Sequence, residues 1–431
     1  MKALLILGMS FLLSGCVSAF DARLADAPSE LVRDCAAWYA ALDRAVDEAG
    51  VRDAQSARVA GFPYARTDRL FASLRERAGR SNAGLQAFAE RLAELDLQAR
   101  AHEILNLPRA SVEALPGMGP TFTRDFALRR THECARLLRE LDLAKPQARS
   151  ALLQRAHVSD GYSGVRRCEG HTRRGVRPQD EPAGIRYAPA RTPALPRAVI
   201  AGLLERAIFD PLGQPLLSER ELAAVAAVHA PSFQIPVAAD YDRFGEVRWR
   251  RGGEEPEVDA SRLVAYVHPA YARYRDRVLL QLVYTIWFPG RLDGITWRVT
   301  LAPDGEPLLY DAIHACGCYH HFFPTPRARL RAAPLSLDEV SFVPRRLPRV
   351  AEEERPVVML ASGTHRIEGV ALVRGVDSLV RYELRSHDEL RSLPRSDGGR
   401  RSFFGPERMV PGYDADLIEQ RFELDLAGDA R

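Results

Sequence analysis

Lysine is nearly absent from this sequence. It occurs only as Lys2 and Lys145, so arginine carries almost all the positive charge. The 60 basic residues face 57 acidic ones, for a net charge of +3 that falls to +2 once Lys2 is removed (3 − 1). Near-neutrality and the lack of any RNA- or DNA-binding pattern exclude a nucleic-acid partner. GxSxG, a phosphate-binding loop, CxxCH and CxxC are also missing. Their absence sets aside the nucleophile elbow, P-loop nucleotide chemistry, c-type haem attachment and thioredoxin-like redox pairs. The apolar run over residues 3 to 13 is too short to span a bilayer as a helix, and no later stretch is long and apolar enough. Residues 279 to 288, LLQLVYTIWF, read as a buried strand.

What is present begins at the start. MKALLILGMSFLLSGC has a charged Lys2 and an apolar run over residues 3 to 13, of secretory-signal length. It ends in Leu13, Ser14, Gly15 and Cys16. This resembles a bacterial lipoprotein signal. The resemblance implies cleavage after residue 15 and acylation of Cys16, which then anchors the mature chain in a membrane. Val17 stands after the cysteine where inner-membrane retention would want Asp, which implies sorting to the periplasmic face of the outer membrane.

Of the six cysteines, lipidation consumes Cys16 and leaves Cys35, Cys134, Cys168, Cys316 and Cys318. In an oxidising compartment these favour disulfides. An odd number leaves at least one free, metal-bound or paired with another chain.

The expected organisation is a signal over 1–15, a tether over 16–27, a helical domain over 28–151, an Arg/Gly/Pro-rich linker over 152–196, and an α+β domain over 197–431. The fold class is α+β, with an all-helical N-terminal domain before an antiparallel or mixed sheet. In the first helix Leu31, Cys35, Trp38, Leu42 and Val46 form one apolar stripe, with Ser29 as N-cap and Gly50 as stop. Two further helices carry stripes, one with Leu85, Phe88, Leu92 and Leu95, the other with Phe126, Cys134, Leu137 and Leu141. Cys35 and Cys134 lie on apolar stripes of different helices, and a disulfide between them is expected. Residues 61 to 70 read as a packed connector inside the bundle. Residues 198 to 211 read as a helix, and Ser218 with Glu221 reads as the capping box of the next. After Pro231 strands dominate. Ile295, Trp297, Val299 and Leu301 alternate with Thr296, Arg298 and Thr300, so the first set faces a core and the second faces away. Asp304 and Gly305 then form a hairpin turn.

The return strand leads into HACGCYHH, residues 314 to 321. Thiolate and imidazole are ligands that select zinc or copper. His314, Cys316, Cys318, His320 and His321 are therefore candidate metal ligands. Cys168, His268, Asp311, His365 and Glu368 are candidates for outside ligands or a general base. Three other readings stay open: a strained CxC redox pair, a cysteine nucleophile with a histidine base, and a structural disulfide with Cys168. The expected function is an outer-membrane lipoprotein of the periplasm that binds zinc or copper, with metal-dependent hydrolysis as the activity if water reaches the metal. The competing class is a non-enzymatic envelope binding or assembly protein, touching another envelope protein or peptidoglycan, with the cysteines as staples.

Overall fold

The computed structural model describes residues 24, 27, 29–120, 123–158, 184–190, 196–290, 293–315, 317, 319–332, 343–374, 380–404 and 417–427. Cys16, Cys168, Cys316, Cys318 and most of segment 152–196 lie outside them. The chain is mixed, 36% helical and 31% strand. No helix among the described residues is long and apolar enough to cross a membrane.

The N-terminal part contains α1 (Glu30–Glu48), β1 (Ala57–Val59), β2 (Phe62–Thr67), α2 (Arg69–Ala78), α3 (Asn82–Asn106), α4 (Arg109–Glu113), α5 (Arg124–Leu143) and α6 (Pro146–Arg155). Cys35, Trp38, Leu42 and Val46 of α1 are buried as their spacing predicts. Leu31 is not: it is 51% exposed, and Val32 is buried in its place. Ser29 occupies the N-cap position of α1 but makes no side-chain capping bond. Cys35 and Cys134 form the expected disulfide, joining α1 to α5 across a separation of 99 residues.

The expected connector at 61–70 is instead a β1–β2 hairpin and the start of α2, so this part is not all-helical. The hairpin carries Arg66 into the helices. There Arg66 pairs with Asp96 at 3.0 Å and Glu103 at 2.7 Å. Arg100 pairs with Asp43 at 2.7 Å and Glu103 at 3.0 Å. The Arg66, Arg100, Asp96 and Glu103 side chains are all fully buried. The polar letters on the inner side of α3 thus form ion pairs where periodicity alone reads a solvated face.

The rest comprises β3 (Ile185–Pro189), α7 (Arg197–Glu205), β4 (Ile208–Phe209), β5 (Pro215–Leu216), α8 (Glu219–His229), β6 (Ser232–Ile235), β7 (Glu246–Trp249), β8 (Pro256–Asp259), β9 (Val264–Tyr274), β10 (Arg277–Trp287), β11 (Gly294–Leu301), β12 (Pro307–His314), β13 (His321–Pro324), β14 (Ala328–Leu330), β15 (Glu354–Leu360), β16 (Ile367–Arg374), β17 (Val380–Ser386), β18 (Leu393–Pro394), β19 (Arg400–Arg401), α9 (Leu417–Arg421) and β20 (Phe422–Leu424). Ten strands form one mixed sheet in the order β13-β12-β11-β10-β9-β17-β3-β6-β15-β16. The sheet incorporates β3, so the expected linker contains a strand. The expected helix at 198–211 stops at Glu205, and the chain turns back as the β4–β5 hairpin. The Ser218–Glu221 capping box is present.

From β9 to β13 the sheet is an antiparallel meander, with the predicted turn at Gly305 in a left-handed conformation (φ 78°). Ile295, Trp297, Val299 and Leu301 join a core with Leu280, Leu282, Tyr284 and Ile286. Thr296, Arg298 and Thr300 lie on the opposite face, as alternation predicts, and that face is buried too. All eight residues of β11 are buried, because both faces of the sheet are covered.

The two parts touch at both ends of α3. Near its C-terminus the Asn106 amide donates to the Arg391 carbonyl at 2.9 Å, and Arg391 pairs with Asp53 at 2.9 Å. Near its N-terminus Arg91 pairs with Asp210 of the β4–β5 hairpin at 3.1 Å, and Leu212 enters the helical core.

Candidate functional site

β12 ends at His314 and the chain returns on β13 from His321, with Ala312 opposite His321. The turn between them is tight. The Gly317 N–H donates to the His314 carbonyl at 2.8 Å, and Gly317 and Tyr319 take φ 87° and 56°. Among the described residues three non-glycines have such left-handed backbones: Arg275, Tyr319 and His365. Two of them, Tyr319 and His365, lie at this one rim. A left-handed backbone costs a non-glycine residue about 1–3 kcal/mol and persists where its surroundings over-determine it.

The pleat separates the histidines of HACGCYHH. His314 lies opposite Ile295, and His321 opposite Ala312, which itself faces Trp297. His314 and His321 therefore share the face of the large apolar core. His320, one residue earlier than His321, points to the other face. There its Nε2 lies 3.3 Å from Asp311 Oδ1, which also accepts from Arg298 Nε at 2.7 Å. Placing all five residues at one site is thus corrected for His320, because adjacent strand residues face opposite ways.

His314 is turned by a carboxylate. Its Nδ1 lies 3.6 Å from Asp293 Oδ1, in the connection between β10 and β11. The other oxygen, Oδ2, is 3.0 Å from His365 Nδ1. His365 Nε2 in turn sits 3.3 Å from Asp242 Oδ1. Asp242 accepts from the Gly363 N–H at 2.7 Å, the Ser362 hydroxyl at 2.7 Å and the Ala238 N–H at 2.9 Å. The His365 ring lies flat on Phe288, with centroids 3.7 Å apart and planes 6° from parallel. Carboxylate and imidazole alternate from Asp242 through His365 and Asp293 to His314.

Burial acts to raise the Asp293 carboxyl, but its contacts with His314 and His365 outweigh it and hold the group far below the usual carboxylate range. Asp242 behaves likewise. Burial raises it, and hydrogen bonds from Gly363, Ala238 and Ser362 bring it down. Burial pushes His321 down to about 4, with His314 nearby adding to the effect, so this ring is neutral at pH 7. His314 is 5% exposed and its Nε2 meets no hydrogen-bond partner. A histidine whose Nδ1 faces a carboxylate presents its Nε2 lone pair as ligand or base.

Of the described candidate outside residues, His365 alone reaches this group, and it does so through Asp293. Asp311 is committed to Arg298 and His320. Burial would raise it, and Arg298 and His320 together more than offset this. His268 lies in a different place, with its ring 4.4 Å from His387. Glu368 is 3.5 Å from Arg366. Cys168, Cys316 and Cys318 lie outside the described residues. Among the described residues no three His, Cys, Asp or Glu side chains are arranged to hold a metal ion. Asp293, Asp242 and Phe288 escape sequence reading. Asp293 precedes a glycine between two strands, which looks like an ordinary turn, and nothing local ties it to residues 314 or 365.

No family model matches the chain, and neither a curated protein nor a solved structure does.

Proposed function

We propose that this protein is an envelope lipoprotein, acylated at Cys16 and held at the periplasmic face of the outer membrane, that binds zinc or copper(I) through the turn 314–321. The observation that carries the reading is His314. Its Nδ1 faces Asp293, its Nε2 is buried without a partner, and it sits in a turn whose sequence supplies two cysteines. Metal-binding histidines are backed by carboxylates in this way. His314 and His321 on one face, with Cys316 and Cys318, make the ligand set. His320 is left out of it. A metal that keeps one position for water would make the protein a hydrolase, with Asp293 beside the water.

The second reading is a binding or assembly protein in which Cys316 and Cys318 are structural, in line with the Cys35–Cys134 bridge. Metal content by elemental mass spectrometry separates the two. The wild type should carry near one equivalent of zinc or copper, lost in Cys316→Ser/Cys318→Ser and in His314→Ala. No metal in the wild type would sink the metal reading and leave the structural one.

A further inference from the structure

Four of the most exposed large apolar residues fall in two places, Leu31 at 51%, and Ile208, Phe209 and Leu216 at 74%, 46% and 47%. Leu31 opens α1. The other three make up most of the β4–β5 hairpin, where Ile208 lies directly opposite Leu216.

Both places belong to one end of the molecule. Tyr39 reaches Asp96 at 3.4 Å, and Asp43 reaches Arg100 at 2.7 Å, a step of four residues on each helix. α1 and α3 therefore run parallel, and Leu31 lies level with the first turns of α3. In those turns Arg91 holds Asp210 of the hairpin. Arg77, at the end of α2, donates to the Asp276 carbonyl in the β9–β10 turn at 2.6 Å. This end is therefore also the β9–β10 end of the sheet. The Asp293–His314–His365 group is at the other end of β10, about 35 Å away along an eleven-residue strand.

The start of the chain is also fixed here. Leu24 is 3% exposed within the helical core, and the Arg33 side chain donates to the Ala27 carbonyl. From Cys16 to Leu24 is a contour of at most about 28 Å. We propose that this end faces the bilayer, and that Leu31 and the β4–β5 hairpin seat Ile208, Phe209 and Leu216 among the lipid headgroups. The proposal rests on acylation of Cys16. A covalent anchor within that reach holds a flat apolar-polar interface against this end. So few side chains fall far short of the roughly 800 Å² per partner that a specific protein interface buries, whereas beside a lipid anchor they suffice to set orientation. The candidate site then points away from the membrane.

The test uses the full acylated chain in vesicles of phosphatidylethanolamine and phosphatidylglycerol. Phe209→Trp, Leu31→Trp and Tyr241→Trp are compared with the wild type, whose four tryptophans are buried and supply the background. Tyr241, beside Gly363, reports the site end. The added fluorescence at 209 and 31 should shift to shorter wavelength and fall about twofold or more with brominated lipid, while that at 241 stays unchanged. Acylated, vesicle-bound protein with unquenched Trp at both 209 and 31 overturns the orientation and leaves the lipoprotein reading standing. Quenching at 241 in place of 209 also overturns it. A chain whose mass shows no acylation, and which does not sediment with vesicles, overturns both.

Discussion

Two buried ionic groups in this molecule look alike and differ in one respect. In the helical part Arg58, Arg66 and Arg100 meet Asp43, Asp96 and Glu103, three cations and three carboxylates, and every one of these side chains is ion-paired. At the sheet rim carboxylate and imidazole alternate through Asp242, His365, Asp293 and His314, but the series ends on a ring nitrogen without a hydrogen-bond partner. The first group has its charges matched and reads as structure. The second ends on a buried ring nitrogen that no hydrogen bond reaches, beside the left-handed backbones of Tyr319 and His365. Arg66 Nη1 and Arg100 Nη2 also lack hydrogen bonds, but each belongs to an ion-paired guanidinium, so the imidazole nitrogen that neither a hydrogen bond nor an ion pair accounts for is the better pointer to a ligand.

The sharpest way to break this comparison is to unbalance the first group. Arg100→Leu leaves Asp96 and Glu103 to share Arg66 alone, with one buried negative charge uncompensated, and should lower stability by about 3–5 kcal/mol in denaturant unfolding. Its native fraction should still bind metal, and a selective loss of metal at unchanged stability would reverse the two roles. Next in size, Cys134→Ser removes the bridge between α1 and α5 and should cost about 2–4 kcal/mol. Unfolding of the variant, compared with reduced wild type, checks it. At the rim the order inverts. Asp293→Asn should weaken metal binding about 10–100-fold by chelator competition while moving the unfolding midpoint less than either change above. Equal losses in both would make Asp293 structural.

The smallest effect is set by pH and belongs to neither group. Burial pushes His268 down to about 4, with Asp388 opposing and Arg298 and Arg391 assisting, and His387 beside it is pushed well down by burial. Unfolded histidines titrate near 6.5, so the unfolded chain takes up these protons first. Stability should be intact above about pH 6.5 and fall progressively as pH drops toward about 4. A His268→Gln variant should show a shallower fall, and an unchanged slope would remove His268 from the explanation.

The parts of the fold visible in sequence were those governed by one periodicity at a time. Cys35, Trp38, Leu42 and Val46 marked a helix face, and Ile295 to Leu301 marked a strand face, because each set packs on one core. Leu31 obeyed the same period and was misplaced, since period says nothing about where a partner surface stops. Arg298 was placed correctly on the face opposite Trp297, but its burial was not legible, because a second layer over the sheet is not written in β11 itself. The rim was legible only at His314 and His321. Residues 242, 293, 314 and 365 come together through four separate connections, and no local pattern links them.

The most direct measurement is the nitrogen-15 spectrum of His314 in histidine-labelled protein, assigned with His314→Gln and recorded before and after one equivalent of zinc. The account predicts a ring protonated at Nδ1 and a large zinc-induced shift at Nε2, both weakened in Asp293→Asn. A ring protonated at Nε2, or an Nε2 signal that zinc leaves in place, would contradict it.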